Sequence, residues 1–206
     1  MITKLTGRRV HWMLLLFPLI LVLNACGQPY QFRGTAYDPI LPAPTLQGTQ
    51  GDGETFDLKE VGRKVKLVFF GYTYCPDVCP LTLANMRVVY NQLSDEEKKN
   101  VAVIFVTVDP ERDTAERLRD YVRNFDSNFT GVNVPLDAQK QVKDDFKIYA
   151  EKRIEEGKDA AATDYFVDHT AVVFLVDKNN DLRAIYPTDA APTDIVADVQ
   201  HLLKSN

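Results

Sequence analysis

Two closely spaced cysteines are the residues in this sequence best suited to chemistry. Cys75 and Cys79 lie in the segment GYTYCPDVCP, residues 71–80, and Cys26 is the only other cysteine among the 206 residues. An apolar run over residues 65–70 precedes the pair, and apolar residues at helical spacing over 81–93 follow it. A helix N-terminus favours the thiolate form of a nearby cysteine. Such a pair can form a disulfide, hold a soft metal ion or attack a substrate.

The first 25 residues predict an export signal. Three basic residues precede a continuous apolar stretch over 12–23, which is shorter than the ~20 residues that span a bilayer. Residues 23–26, LNAC, resemble a bacterial lipoprotein cleavage box, which implies that Cys26 is lipidated and becomes the mature N-terminus. The alternative is an ordinary secretory signal or a short anchor, with Cys26 incidental. Either signal places the rest of the chain outside the cytoplasm, where free thiols tend to oxidise.

Composition divides the chain into three parts and excludes one class of partner. We predict a signal peptide over 1–25, a proline-rich extended tether over 26–45 and one folded domain over 46–206. After residue 25 the chain has 21 basic and 29 acidic residues, which argues against a nucleic-acid partner. We expect the domain to be a monomer.

The predicted elements of the domain follow a recognisable order. Apolar runs over 65–70, 101–108 and 171–176 predict buried strands, and helical patterns lie over 81–93, 115–125 and 195–203. Asp113 or Thr114 is expected to cap the second of these helices and Thr193 the third, and residues 94–100 predict a charged turn. A helix between two such strands predicts a parallel βαβ unit with a right-handed crossover. This order indicates an α/β thioredoxin-like fold: a central mixed β-sheet flanked by helices. Two additions to it are expected, an extra β-hairpin insertion (148–153 with 164–167) and an N-terminal hairpin (46–58).

The position of one histidine favours metal binding among the possible functions of the two cysteines. His11 belongs to the signal, and we expect no role for His201 near the end of the last helix. His169 stands just before a predicted core strand, at a position that faces the cysteine loop in a thioredoxin-like fold. Two thiolates and one imidazole form a soft three-ligand set suited to Cu(I), and usable by Cu(II) with a further ligand. Structural zinc prefers four ligands. A structural disulfide remains the alternative for the cysteines considered alone.

Three motifs resemble those of the Sco/SenC family. They are FGYTYCPDVCP over 70–80, VTVDPERDT over 106–114 and VDHT over 167–170, and together with the matching order of elements they cover about residues 45–203. Members of that family are membrane-tethered, thioredoxin-like copper proteins of cytochrome c oxidase assembly. The resemblance implies that Cys75, Cys79 and His169 bind one copper ion. Asp77 and Asp109 match acidic positions of the motifs, which implies a role in supporting the copper ligands or in docking.

The resemblance also implies a function and partners. It indicates a copper chaperone, not an enzyme, held by a lipid anchor on the extracytoplasmic face of a bacterial cell membrane. Its copper would pass to the CuA centre of cytochrome c oxidase subunit II, and a copper donor and a thiol reductant would be further partners.

The same two cysteines allow other functions. Cys75 and Cys79 could form the redox pair of a thiol-disulfide reductase that keeps the CuA cysteines reduced, or the site could serve a copper or redox sensor. A peroxiredoxin is disfavoured, because its T-x-x-C pattern is absent: Tyr72 and Pro76 stand three residues before the cysteines.

Overall fold

Uninterrupted apolar runs form the centre of the sheet, as expected for strands that are covered on both faces. The structure is a computed structural model that describes residues 29–62, 64–154 and 164–205. The predicted signal segment and Cys26 therefore lie outside the described residues. Within the described residues, no helix combines the length and apolar character needed to cross a membrane.

The described residues contain ten strands and five α-helices. The strands are β1 (Thr35–Pro42), β2 (Gln47–Gln50), β3 (Thr55–Asp57), β4 (Val65–Gly71), β5 (Val101–Thr107), β6 (Thr130–Asn133), β7 (Ala150–Arg153), β8 (Phe166–His169), β9 (Val172–Val176) and β10 (Asp181–Pro187). The helices are α1 (Val78–Asn91), α2 (Asp95–Lys99), α3 (Ala115–Arg123), α4 (Leu136–Phe146) and α5 (Pro192–Lys204).

Eight strands form one mixed sheet in the order β1-β10-β9-β4-β5-β6-β2-β3. Strands β4, β5 and β6 run parallel to one another, and α1 joins β4 to β5 as the predicted βαβ unit. The other pairs in this sheet are antiparallel. Strands β7 and β8 form a separate antiparallel hairpin, and β2 and β3 form the N-terminal hairpin. The predicted thioredoxin-like architecture with two added hairpins is therefore confirmed.

Side chains of β4 alternate between two apolar layers. Val65, Leu67 and Phe69 pack in the layer that contains the buried residues of α1, α3 and α5. Val68 and Phe70 pack in the opposite layer, with residues of α4. The strand is thus held from both sides, and the loop that follows it starts from a rigid base.

The N-terminal part of the domain differs from the expected tether. Residues 35–42 form β1, which pairs with β10, so the stretch over 26–45 is not extended tether throughout. Nearly all of β1 is exposed, so it carries no apolar periodicity that would reveal a strand. Its two prolines are tolerated because β1 is an edge strand.

Three other elements differ from the sequence prediction. Strand β6 was not predicted, because it has only four residues, TGVN. The charged turn predicted over 94–100 contains α2, which is stabilised by a capping box between Ser94 and Glu97 and buries no side chain. Helix α5 begins at Pro192 and not after a Thr193 cap, because proline suits the first helical turn.

Candidate metal centre

The two cysteines lie at the junction of β4 and α1. The loop turns sharply, because the backbone N–H of Cys75 donates to the carbonyl of Tyr72 at 3.2 Å. Cys79 lies in the first turn of α1, and its backbone N–H donates to the Cys75 sulfur at 3.4 Å. Asp77 occupies the N-cap position but makes no side-chain capping bond. The Cys75 sulfur therefore accepts one of the N–H groups that a helix start leaves unpaired.

His169 reaches the cysteines from the end of β8. Its Nε2 lies 3.5 Å from the Cys79 sulfur, and its Nδ1 lies 3.1 Å from the carbonyl oxygen of Thr170. A carbonyl can only accept, so Nδ1 carries the proton and Nε2 presents its lone pair to the sulfur. This arrangement is typical of a metal-binding histidine whose second nitrogen is fixed by the backbone.

The two thiols have opposite acidities. A hydrogen bond from the Cys79 thiol lowers the pKa of Cys75 to about 4, with further help from the backbone N–H groups of Asp77 and Cys79. Burial raises the pKa of Cys79, and the neighbouring charge on Cys75 adds to that rise. At neutral pH the pair therefore consists of one thiolate, on Cys75, and one thiol, on Cys79.

The three candidate ligands differ in their exposure to solvent. Cys79 is fully buried at 0% exposure, Cys75 is 9% exposed, and His169 is partly exposed. A glycine also makes room for the buried sulfur: a Cβ on Gly71 would lie 2.6 Å from it.

One sulfur atom from each cysteine and one nitrogen of His169 all lie within 4.8 Å of one another. Both cysteines are free, so neither sulfur is occupied by a disulfide. In the described part of the chain, no fourth histidine, cysteine or carboxylate joins this group. Two soft sulfur ligands and one imidazole fit Cu(I) better than a structural zinc ion, which needs four ligands.

The other residues considered in the sequence analysis lie outside the three-residue metal group. Asp77 is exposed beside Cys75. Asp109 is 2% exposed and faces inward, where it accepts hydrogen bonds from Arg112 at 2.6 Å and from the Tyr165 hydroxyl at 2.7 Å. His201 lies on α5 with its ring edge-on to Phe32, outside the metal group.

A buried carboxylate holds the cysteine loop to the next strand. Asp113 is fully buried and accepts hydrogen bonds from the backbone N–H and hydroxyl of Thr73, at 2.9 and 2.5 Å, and from the Thr107 hydroxyl at 2.7 Å. Asp113 was a candidate cap of α3, but Thr114 makes that bond. Burial raises the pKa of Asp113, and this effect outweighs the hydrogen bonds from Thr73 and Thr107, which lower it. The role of Asp113 was missed because sequence alone does not reveal which acid turns inward.

Comparison with known proteins identifies a family with the same fold. The SCO1/SenC family model matches residues 43–204. The chain belongs to the SCO1/SenC family. Its relatives include a SCO2-like protein of Rickettsia typhi, 32% identical over 180 residues that cover 86% of each chain.

Two solved structures of the family are informative. Bradyrhizobium japonicum ScoI with copper bound is 30% identical, covers 78% of this chain and 99% of its own, and superposes with a TM-score of 0.70. A SCO1/SenC family lipoprotein from Bacillus anthracis is 26% identical, covers 84% of this chain and 100% of its own, and has a TM-score of 0.68. The SCO1/SenC proteins thus include a copper-bound form and a lipoprotein, both with this thioredoxin-like fold.

Proposed function

We propose that this chain is a membrane-tethered copper chaperone. It binds one copper ion through Cys75, Cys79 and His169 and delivers it to the CuA centre of cytochrome c oxidase subunit II. The observation that carries the proposal is the convergence of two sulfurs and an imidazole nitrogen with a free lone pair within 4.8 Å. The copper bound in the related ScoI supports the choice of metal.

Binding of copper releases one proton from the site. Cys75 is already ionised, because its pKa is lowered to about 4, whereas Cys79 must lose its proton to become a ligand. Two thiolates around Cu(I) leave one net negative charge in the site. The backbone N–H of Cys79, which points at the Cys75 sulfur, and the N-terminus of α1 stabilise that charge.

Copper release follows from the exposure of the ligands. His169 is partly exposed and Cys75 is 9% exposed, so a thiolate of the recipient can approach from their side before it can reach the fully buried Cys79. We propose that Cys75 and His169 are replaced first and that Cys79 releases copper last. Asp77 is exposed on the Cys75 side, and we assign it a role in docking the recipient.

The lipid anchor is part of the same proposal. We propose that residues 1–25 are removed, that Cys26 is lipidated, and that the domain works on the extracytoplasmic face of a bacterial membrane. The lipoprotein among the related structures supports this.

The acidity of Cys75 favours a second candidate function, reduction of the recipient's disulfide. The Cys75 thiolate would attack that disulfide and form a mixed disulfide, and one recipient thiolate would leave and take up a proton. Cys79, after losing its proton, would then attack Cys75, release the second recipient thiol and leave a Cys75–Cys79 disulfide. Burial of Cys79 opposes this second step, because only its thiolate can attack. An external thiol would also have to reduce the protein again.

One mixing experiment separates the two functions. The soluble domain, residues 32–206, is loaded with Cu(I) and mixed with an apo subunit II domain whose CuA cysteines have been reduced. We expect copper to move to the recipient. In a second arm, the copper-free domain is mixed with a recipient whose cysteines are oxidised. Reduction of that disulfide without copper transfer in the first arm would replace the chaperone with the reductase.

A further inference from the structure

Tyr72 connects the cysteine loop to the strand that carries His169. Its carbonyl accepts the Cys75 backbone N–H at 3.2 Å, and its hydroxyl accepts the backbone N–H of Val167 at 3.2 Å. Its ring packs edge-on against the His169 ring, with centroids 5.7 Å apart at 87°. Tyr72 is itself only 2% exposed. One residue therefore contacts both halves of the metal centre, the cysteine loop through its backbone carbonyl and the β8 strand through its side chain.

A second group fixes the start of the same strand. Arg112 donates to the carbonyl of Tyr165 at 2.9 Å and lies over the Tyr165 ring at 3.5 Å. Asp109 accepts from both partners, from Arg112 at 2.6 Å and from the Tyr165 hydroxyl at 2.7 Å. Asp109 and Arg112 follow directly after β5 in the main sheet, so this group holds the β7–β8 hairpin to the core.

These contacts are needed because β8 is not a strand of the main sheet. Strand β8 pairs only with β7 among the described strands, whereas Cys75 and Cys79 are attached to β4 and α1. The main-sheet ladder resumes only at β9, where Val173 pairs with Phe69 of β4. The side-chain contacts therefore act on β8, the segment just before β9 that carries His169.

We propose that Tyr72 is a positioning residue for copper binding: through its bond to Val167 it holds His169 within reach of the two cysteines, and the Arg112–Asp109–Tyr165 group anchors the beginning of the same strand. The inference rests on the proposed copper site. Tyr72 would raise the fraction of copper-free molecules in which the His169 imidazole lies within reach of both sulfurs. The apparent Cu(I) affinity of the protein is proportional to that fraction.

The substitution Tyr72→Phe tests the role of the hydroxyl. It retains the ring contact with His169 and the carbonyl bond to Cys75, and removes only the acceptor of the Val167 N–H. We expect the Cu(I) affinity, measured by competition with a chromogenic chelator, to fall about fivefold, the equivalent of about 1 kcal/mol and the usual net value of one buried hydrogen bond.

Tyr149→Phe is the matched control. The Tyr149 hydroxyl bonds the Glu151 side chain on the exposed surface of the same hairpin, at 3.0 Å, and the residue is 53% exposed. We expect this variant to bind copper like the parent. A loss equal to that of Tyr72→Phe would contradict the assignment, because removal of any tyrosine hydroxyl near the hairpin would then have the same effect.

A double-mutant cycle shows whether Tyr72 acts through His169. In a His169→Ala background only the cysteines remain as ligands, so Tyr72→Phe should no longer change the Cu(I) affinity. An equal fivefold loss in both backgrounds would overturn the proposal, since it would show a general structural effect. An unchanged affinity of Tyr72→Phe in the parent background would overturn it as well.

The proposal and the copper site fail in different ways. If His169→Ala binds Cu(I) as tightly as the parent, the proposed copper site falls, and this inference falls with it. If His169→Ala weakens binding and Tyr72→Phe does not, the copper site stands and only the positioning role is refuted.

Discussion

Gly71 is the residue whose substitution most directly tests the packing of the buried ligand. It is the last residue of β4, and it leaves room for the Cys79 sulfur. In Gly71→Ala the new Cβ would lie 2.6 Å from that sulfur and 2.7 Å from Cε2 of Phe105. Ordinary contacts between such atoms are about 3.5–4 Å, so the sulfur or the first turn of α1 must move by about 1 Å.

Two effects of Gly71→Ala follow from this crowding. Overpacking of a well-filled core costs about 1–3 kcal/mol of unfolding free energy, which lowers Tm by roughly 2–12 °C in a chain of this size. A metal site tolerates ligand distances only within about 0.2 Å, so a shift of about 1 Å should lower the Cu(I) affinity at least tenfold. Chelator competition and thermal unfolding of the copper-free and copper-loaded forms measure both effects.

Gly131→Ala is the matched control for Gly71→Ala. Its Cβ would lie 2.8 Å from the Cβ and carbonyl carbon of Leu118 in α3, in a crowded position away from the cysteines. We expect a comparable loss of stability and an unchanged Cu(I) affinity. If Gly71→Ala bound copper like the parent, or Gly131→Ala lost as much affinity, the steric argument would be refuted.

Three further predictions address the thiols and the anchor. The rate of Cys75 alkylation in the copper-free protein should be nearly independent of pH between 6 and 8, because the pKa of Cys75 is lowered to about 4. Cys79 should stay unmodified in the folded state, because burial raises its pKa. A tenfold rise in the Cys75 alkylation rate per pH unit would contradict this prediction. Cu(I) at a thousandfold excess over Kd should stabilise the reduced domain by about 4 kcal/mol and the disulfide form by almost nothing, as scanning calorimetry would show. Cys26→Ala should accumulate as an unprocessed precursor without lipid, and mass spectrometry that finds an unmodified Cys26 on the mature parent protein would refute lipidation.

The sequence predicts the parts of the site that lie on strongly patterned elements. Cys75 and Cys79 follow an apolar strand and precede a helix, and both features are clear from local periodicity. The position of His169 depended on the thioredoxin-like order of elements and on the VDHT motif. The structure then brings its Nε2 to 3.5 Å from a cysteine sulfur.

The missed features depend on contacts between distant residues. Tyr72 entered the sequence prediction as part of the FGYTYCPDVCP motif and as evidence against a peroxiredoxin. Its positioning role was missed because its bond to Val167 joins residues 95 positions apart. Asp109 was assigned a supporting or docking role, and only the structure shows its pairing with Arg112 and Tyr165. Strand β1 was hidden for a different reason: an exposed edge strand buries too little apolar surface to leave a pattern.

The most direct test of the proposed function is cytochrome c oxidase activity in cells that carry His169→Ala at normal protein levels. A chaperone needs the imidazole as its third copper ligand, whereas a reductase needs only the two thiols. The control is His201→Ala, because His201 lies outside the metal group. We expect oxidase activity to be lost in His169→Ala and retained in His201→Ala. Near-normal activity in His169→Ala would contradict the chaperone function.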